Sequence, residues 1–108
     1  MKLVIAVIHD RDIRDTSDAL LRAGYKFTRI ASTGGFLRDG NVTLLIGCEE
    51  DEHPGLMDII RTKCRTREQY VNALPPDAAM GGFIGAPVKV QVGGAVVFTL
   101  DVESFERV

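Results

Sequence analysis

The sequence predicts an α+β domain: a ferredoxin-like βαββαβ sandwich, one antiparallel sheet with two helices on one face, closed by a C-terminal β-hairpin. Three observations predict it. The chain has 108 residues, 45% of them hydrophobic, enough for a single domain over residues 1–108 with its own core. Apolar β-branched runs alternate with stretches of helical period in the order β-α-β-β-α-β. The first and third strand runs are apolar at nearly every position, so both of their faces need cover. Two helices cover only one face. A second copy of the chain is the simplest cover for the other, so a homo-oligomer is expected.

Each element has its own signature. Residues 3–8, Leu-Val-Ile-Ala-Val-Ile, are a short buried strand. Asp10 or Asp12 is placed to cap the helix that follows. Ile13, Ser17, Leu20 and Leu21 mark its inner stripe, and Gly24 stops it. A second strand spans about 25–32 and a third 42–48. Pro54 suits the first turn of a second helix, whose stripe is Leu56, Ile59, Ile60 and Lys63 or Cys64. Residues 65–87 have no sustained period and are punctuated by Pro75-Pro76, Gly81-Gly82 and Gly85-Ala86-Pro87, so a long loop, mobile without ligand, is expected there. Residues 88–92 alternate, Gly93-Gly94 turns, and 95–100 returns, which reads as a hairpin.

Composition narrows the function. Thirteen basic against fifteen acidic residues give a net charge of −2, which argues against DNA or RNA as partner. Cys48 and Cys64 form no CxxC pair and read as two reduced thiols. The apolar run near the N-terminus is too short for a signal peptide or a membrane span, so a cytoplasmic protein without membrane insertion is expected. His9 and His53 lack metal-ligand spacing, and Asp10, Asp12 and Asp15 lack that of a calcium loop, so no metal is expected. No Ser/His/Asp set, nucleophile elbow or acid–base pair stands out, and no catalytic residue is assigned.

The segment from Thr33 to Asn41 holds the most chemistry. Gly34 and Gly35 can converge backbone N–H groups on an anion, Phe36 offers a flat face to a base, and Asn41 can pair with an adenine edge. The same residues also suit a tight hairpin loop with Phe36 tucked into the core. It is neither a P-loop nor GxGxxG. Arg61, Lys63, Arg65 and Arg67 form a basic cluster, read either as a phosphate contact or as cations at a helix C-terminus.

Thr33-Gly34-Gly35-Phe36-Leu37, Gly40-Asn41, Thr43 and Gly47 together resemble the signature of the PII-like cyclic di-AMP receptor family. The likeness runs upstream through Val7, Asp10, Asp12, Asp18-Ala19-Leu20 and Thr28. Downstream it runs through Thr66-Arg67-Glu68-Gln69, Met80-Gly81-Gly82, the stretch from Val90 to Ala95, Val97-Phe98, Val102 and Phe105. The resemblance implies a homotrimer with a short T-loop at about 33–41 and a long B-loop at about 65–87, binding cyclic di-AMP between subunits and signalling to a downstream protein by loop reordering. It implies that Thr28 and Asn41 hydrogen-bond adenine, that Gly34, Gly35, Phe36, Leu37 and Gly47 line its pocket, and that Phe98 is an aromatic wall. Lys26 stands where the family usually has arginine, and Arg107 where it often has glutamine; both are counted among the ligand-binding positions. No cofactor beyond the ligand is implied. The alternative is a PII-like sensor of ATP or ADP regulating a transporter or enzyme, and a nucleotide-cleaving enzyme is a weaker third reading.

Overall fold

A computed structural model describes residues 1–32, 40–71 and 88–108. Among them the chain runs β1 (Lys2–His9), α1 (Asp10–Arg22), β2 (Phe27–Ser32), β3 (Asn41–Cys48), α2 (His53–Lys63), β4 (Arg67–Val71), β5 (Val88–Val92) and β6 (Ala95–Asp101). β2, β3, β1 and β6 form a four-stranded sheet in that order, antiparallel throughout. This is the ferredoxin-like sheet the alternation predicts.

Alternation along β1 and β3 sorts the side chains by face. Val4, Ala6 and Ile8 lie opposite Ile46, Leu44 and Val42, and all six are buried. They meet Ile13 and Leu20 of α1, Leu56 and Ile60 of α2, and Cys64 just beyond it. This is the core. On the opposite face, Leu3, Ile5 and Val7 are flanked by Leu45 on β3 and by Val96, Phe98 and Leu100 on β6. In the single chain Ile30, Phe98 and Leu100 are 43%, 41% and 46% exposed, so this face is apolar and uncovered.

The helix ends differ from the sequence reading at one end and agree at the other. His9, not Asp10 or Asp12, is the N-cap of α1: its Nδ1 accepts from the Arg11 N–H at 3.1 Å. Asp12 is itself buried and turned to another task. At the C-terminus the Gly24 N–H donates to Leu21 O and the Tyr25 N–H to Leu20 O, the two bonds of a Schellman motif, with Gly24 at φ +90. Leu21, expected in the stripe, is 59% exposed, while Asp12, Thr16 and Ser17 are buried with Ile13 and Leu20. The buried stripe of α1 is therefore largely polar. The Thr16 and Ser17 hydroxyls donate to main-chain oxygens four residues back.

The end of the chain pairs differently from the hairpin reading. β5 pairs with β4 in a separate two-stranded ribbon, and β6 pairs with β1. Gly93 and Gly94 are therefore a joint between two sheets, not a hairpin turn. Periodicity finds strands but not their partners, and the strand at Arg67–Val71 sits inside the stretch read as a loop from 65. The remainder of that stretch, 72–87, and the expected loop residues 33–39 lie outside the described residues.

Candidate ligand-binding site

β2 begins and β3 ends at the same edge of the sheet, because Phe27 lies opposite Ile46 and Thr28 opposite Leu45. The tail after β6 returns to that edge: the Val102 N–H donates to Met1 O at 3.1 Å, beside the ion pair of Lys2 with Asp101. Between them opens a pocket of about 380 Å³ lined by Met1, Lys26, Phe27, Thr28, Leu45, Gly47, Phe105 and Arg107.

Four sequence-predicted residues, Lys26, Thr28, Gly47 and Arg107, thus meet in one place. Two cations, a hydroxyl and apolar walls are a chemistry suited to an anionic ligand with a flat apolar part. Gly47 keeps the space open, since a Cβ there would stand 3.4 Å from the Met1 Cε. Thr28 and Leu45 belong to the uncovered apolar face, so the pocket lies on the margin of the surface that a second subunit would cover.

Asn41 and Phe98 are elsewhere in the same subunit. Asn41 and Gly47 are near opposite ends of β3, about 20 Å apart at ~3.4 Å per residue. Asn41 is the first residue of β3, opposite His9 and Ser32, and only 5% exposed. Thr28 is four positions from Ser32, so it stands roughly 13 Å along the sheet from Asn41 and cannot share one adenine with it inside a single subunit. Phe98, Ile5, Leu45 and Thr28 form one row across the sheet, which puts Phe98 about 14 Å from Thr28 at ~4.8 Å per strand. Gly34, Gly35, Phe36 and Leu37 lie outside the described residues.

Met1, Phe27, Leu45 and Phe105 were not singled out as site residues by sequence reasoning. Phe27 and Leu45 have no signal beyond strand alternation. Met1 and Phe105 enter only because β1 and β6 pair through Lys2 and Asp101. The basic cluster divides: Arg61 pairs with Asp58 in α2, and Arg67 with Asp12. Burial pushes the Cys64 thiol up, a shift the Thr16 hydroxyl at 3.1 Å partly offsets, so Cys64 is a protonated core residue at neutral pH. Among the described residues no group of three His, Cys, Asp or Glu could hold a metal ion, and no helix is long and apolar enough to cross a membrane.

A functionally unknown protein from Pediococcus pentosaceus has a solved structure that matches with a TM-score of 0.75 at 40% identity, covering 99% of this chain and 96% of that one. The crystal structure of Arabidopsis thaliana PII bound to citrate matches with a TM-score of 0.65 at 20% identity, over 99% of this chain and 79% of that one, a likeness of fold. The family model described as cyclic-di-AMP receptor matches residues 1–108. With the sheet order, the two helices on one face and that match over the whole length, the chain belongs to the cyclic-di-AMP receptor family and has a PII-like fold.

Proposed function

We propose that this protein is a non-enzymatic sensor that binds cyclic di-AMP where copies of the chain meet, in a homotrimer, and signals by reordering its loops. The observation that carries the reading is the placement of the pocket. Lys26, Thr28, Gly47 and Arg107 converge at the margin of an apolar face that the subunit leaves uncovered. A second subunit on that face turns an open pocket into a closed cleft. Desolvation then strengthens each hydrogen bond and ion pair to the ligand.

The separation of the expected residues supports the same geometry. A cyclic dinucleotide has two bases and two phosphates. The pocket of about 380 Å³ is at the small end for ligand sites and suits one base with its phosphate. Asn41 of one subunit and Thr28 of another contact the same adenine, which the two cannot do within one chain. Lys26 and Arg107 offset phosphate charge. The ligand acts by favouring one loop arrangement over another, and no bond in it is broken.

Calorimetry of the intact protein against cyclic di-AMP, cyclic di-GMP and ATP tests this. Cyclic di-AMP should bind at least tenfold more tightly than the other two. Lys26→Arg should keep or improve that affinity, since it restores a planar fork. Arg107→Ala should weaken it at unchanged melting temperature. Equal affinity for the two dinucleotides overturns adenine recognition, and preference for ATP favours a mononucleotide sensor.

A further inference from the structure

Among the described residues the β4–β5 ribbon pairs with neither edge of the main sheet. An isolated two-stranded ribbon is marginal by itself, and its direction must be set at its root. The root is where Arg67 lies opposite Val92, followed at once by Gly93 and Gly94. Asp12 of α1, 4% exposed, reaches Arg67 of β4 and Gly94, two residues past the end of β5. Its Oδ1 accepts from Arg67 Nη1 and Nη2, each at 3.1 Å, and its Oδ2 accepts from the Gly94 N–H at 2.9 Å. The same Nη1 donates to Arg65 O at 3.1 Å, and the His9 N–H donates to Gly94 O at 3.2 Å.

The two glycines leave the carboxylate no spare room. Gly93 is at φ +79, and a Cβ on it would stand 2.6 Å from Asp12 Oδ2 and 2.9 Å from Arg67 Nη1. Gly94 is at φ +101, and a Cβ on it would collide with Thr66 Oγ1. Backbone and side chains thus close around one buried charge. Charge-assisted bonds in such a setting are strong and directional.

We propose that Asp12 is a positioning residue: its carboxylate fixes the direction in which the β4–β5 ribbon leaves the sheet by holding Arg67 of one strand and Gly94 beyond the other. Helix α1 and the ribbon then move as one body, whichever nucleotide the protein binds.

Amide hydrogen exchange and residual dipolar couplings on the intact protein test the proposal without any ligand. In Asp12→Ala, exchange at 67–71 and 88–92 should accelerate at least tenfold, with β1 and β3 unchanged. Arg67→Met should accelerate it less, because the Gly94 bond remains, and the double variant should be no faster than Asp12→Ala. Ribbon amides should share one alignment with the sheet in the wild type and show reduced couplings in Arg67→Met. That half-exposed position also carries the test if Asp12→Ala does not fold. Ribbon exchange within twofold of the wild type overturns the proposal. So does equal acceleration in β1 and β3, multiplicative effects in the double variant, or couplings unchanged by Arg67→Met.

Discussion

Thr28 is exposed at the start of β2, and its hydroxyl adds little to the fold, so it separates binding from stability better than Asn41 does. Thr28→Val should cost one hydrogen bond to the ligand, about 0.5–1.5 kcal/mol or ~2- to 12-fold in affinity, at constant melting temperature. Gly47→Val should cost at least tenfold by filling the pocket, because the space at Gly47 meets only Met1 Cε. Asn41→Ala should lose stability together with affinity, since Asn41 is buried in β3. Titration and melting of the three variants check these outcomes side by side. A second expectation concerns alkali. Burial raises the pKa of Cys48, Cys64 and Tyr25. The unfolded chain therefore loses these protons at lower pH than the native protein. Stability contributed by the protonated groups is full below their unfolded pKa values, about 8.5 for thiols, and declines as pH rises past them. Urea midpoints should fall between pH 8 and 10, and fall less in Cys64→Ala when each protein is compared with its own midpoint at pH 7.

At the scale of the elements, glycine substitutions separate backbone strain from collision. Gly24 is at φ +90 with open space around its Cβ position, so Gly24→Ala should cost about 1–2 kcal/mol of strain alone. Gly94→Ala adds the clash with Thr66 and should cost more, on the order of 2–4 kcal/mol. Denaturant melts of the two variants measure the difference. The elements themselves were largely legible in the sequence, because β1, β3 and α2 carry strong apolar periods and Gly24 and Pro54 mark helix ends. Pairing was not. Gly93-Gly94 between two alternating runs has the local chemistry of a hairpin, and only the competing edge of β1 and the strand at Arg67–Val71 divert β6 and β5 to other partners. The cap of α1 departs from the sequence expectation for a related reason. Asp12 has a good capping side chain, but its buried carboxylate is held by the half-exposed Arg67 guanidinium and the Gly94 N–H instead of the first turn of the helix. Of the residues lining the candidate pocket, Lys26, Thr28, Gly47 and Arg107 are ones that the family likeness singles out, whereas Met1 and Phe105 depend on long-range pairing that no local pattern encodes.

At the scale of the molecule, the proposed function predicts that assembly over the uncovered sheet face and ligand binding stand or fall together. Ile30 and Leu100 are exposed on it in the single chain and lie away from the pocket lining. Ile30→Lys combined with Leu100→Lys should leave the subunit folded, because its core is on the other face, yet place two charges where copies are proposed to meet. If the chain assembles as proposed, sedimentation should show a shift from trimer to monomer, and cyclic di-AMP binding should weaken at least tenfold with it. A monomer that binds as tightly as the wild type would separate the site from the assembly.

The pairing of the first strand with the last also governs how the chain reaches this structure. Lys2 finds Asp101 and Ile8 finds Ala95, so one edge of β1 has no partner until residues 95–101 have left the ribosome. Until then a run of Leu-Val-Ile-Ala-Val-Ile presents open backbone on one side. Such an edge, apolar and without proline, is a template for unwanted strand addition. Closing it late requires a contact of very long sequence separation, which slows folding. Chains that stop before residue 95 should therefore aggregate, as light scattering would show, while the full chain stays in solution: β6 completes the sheet and also protects β1 from pairing with other chains.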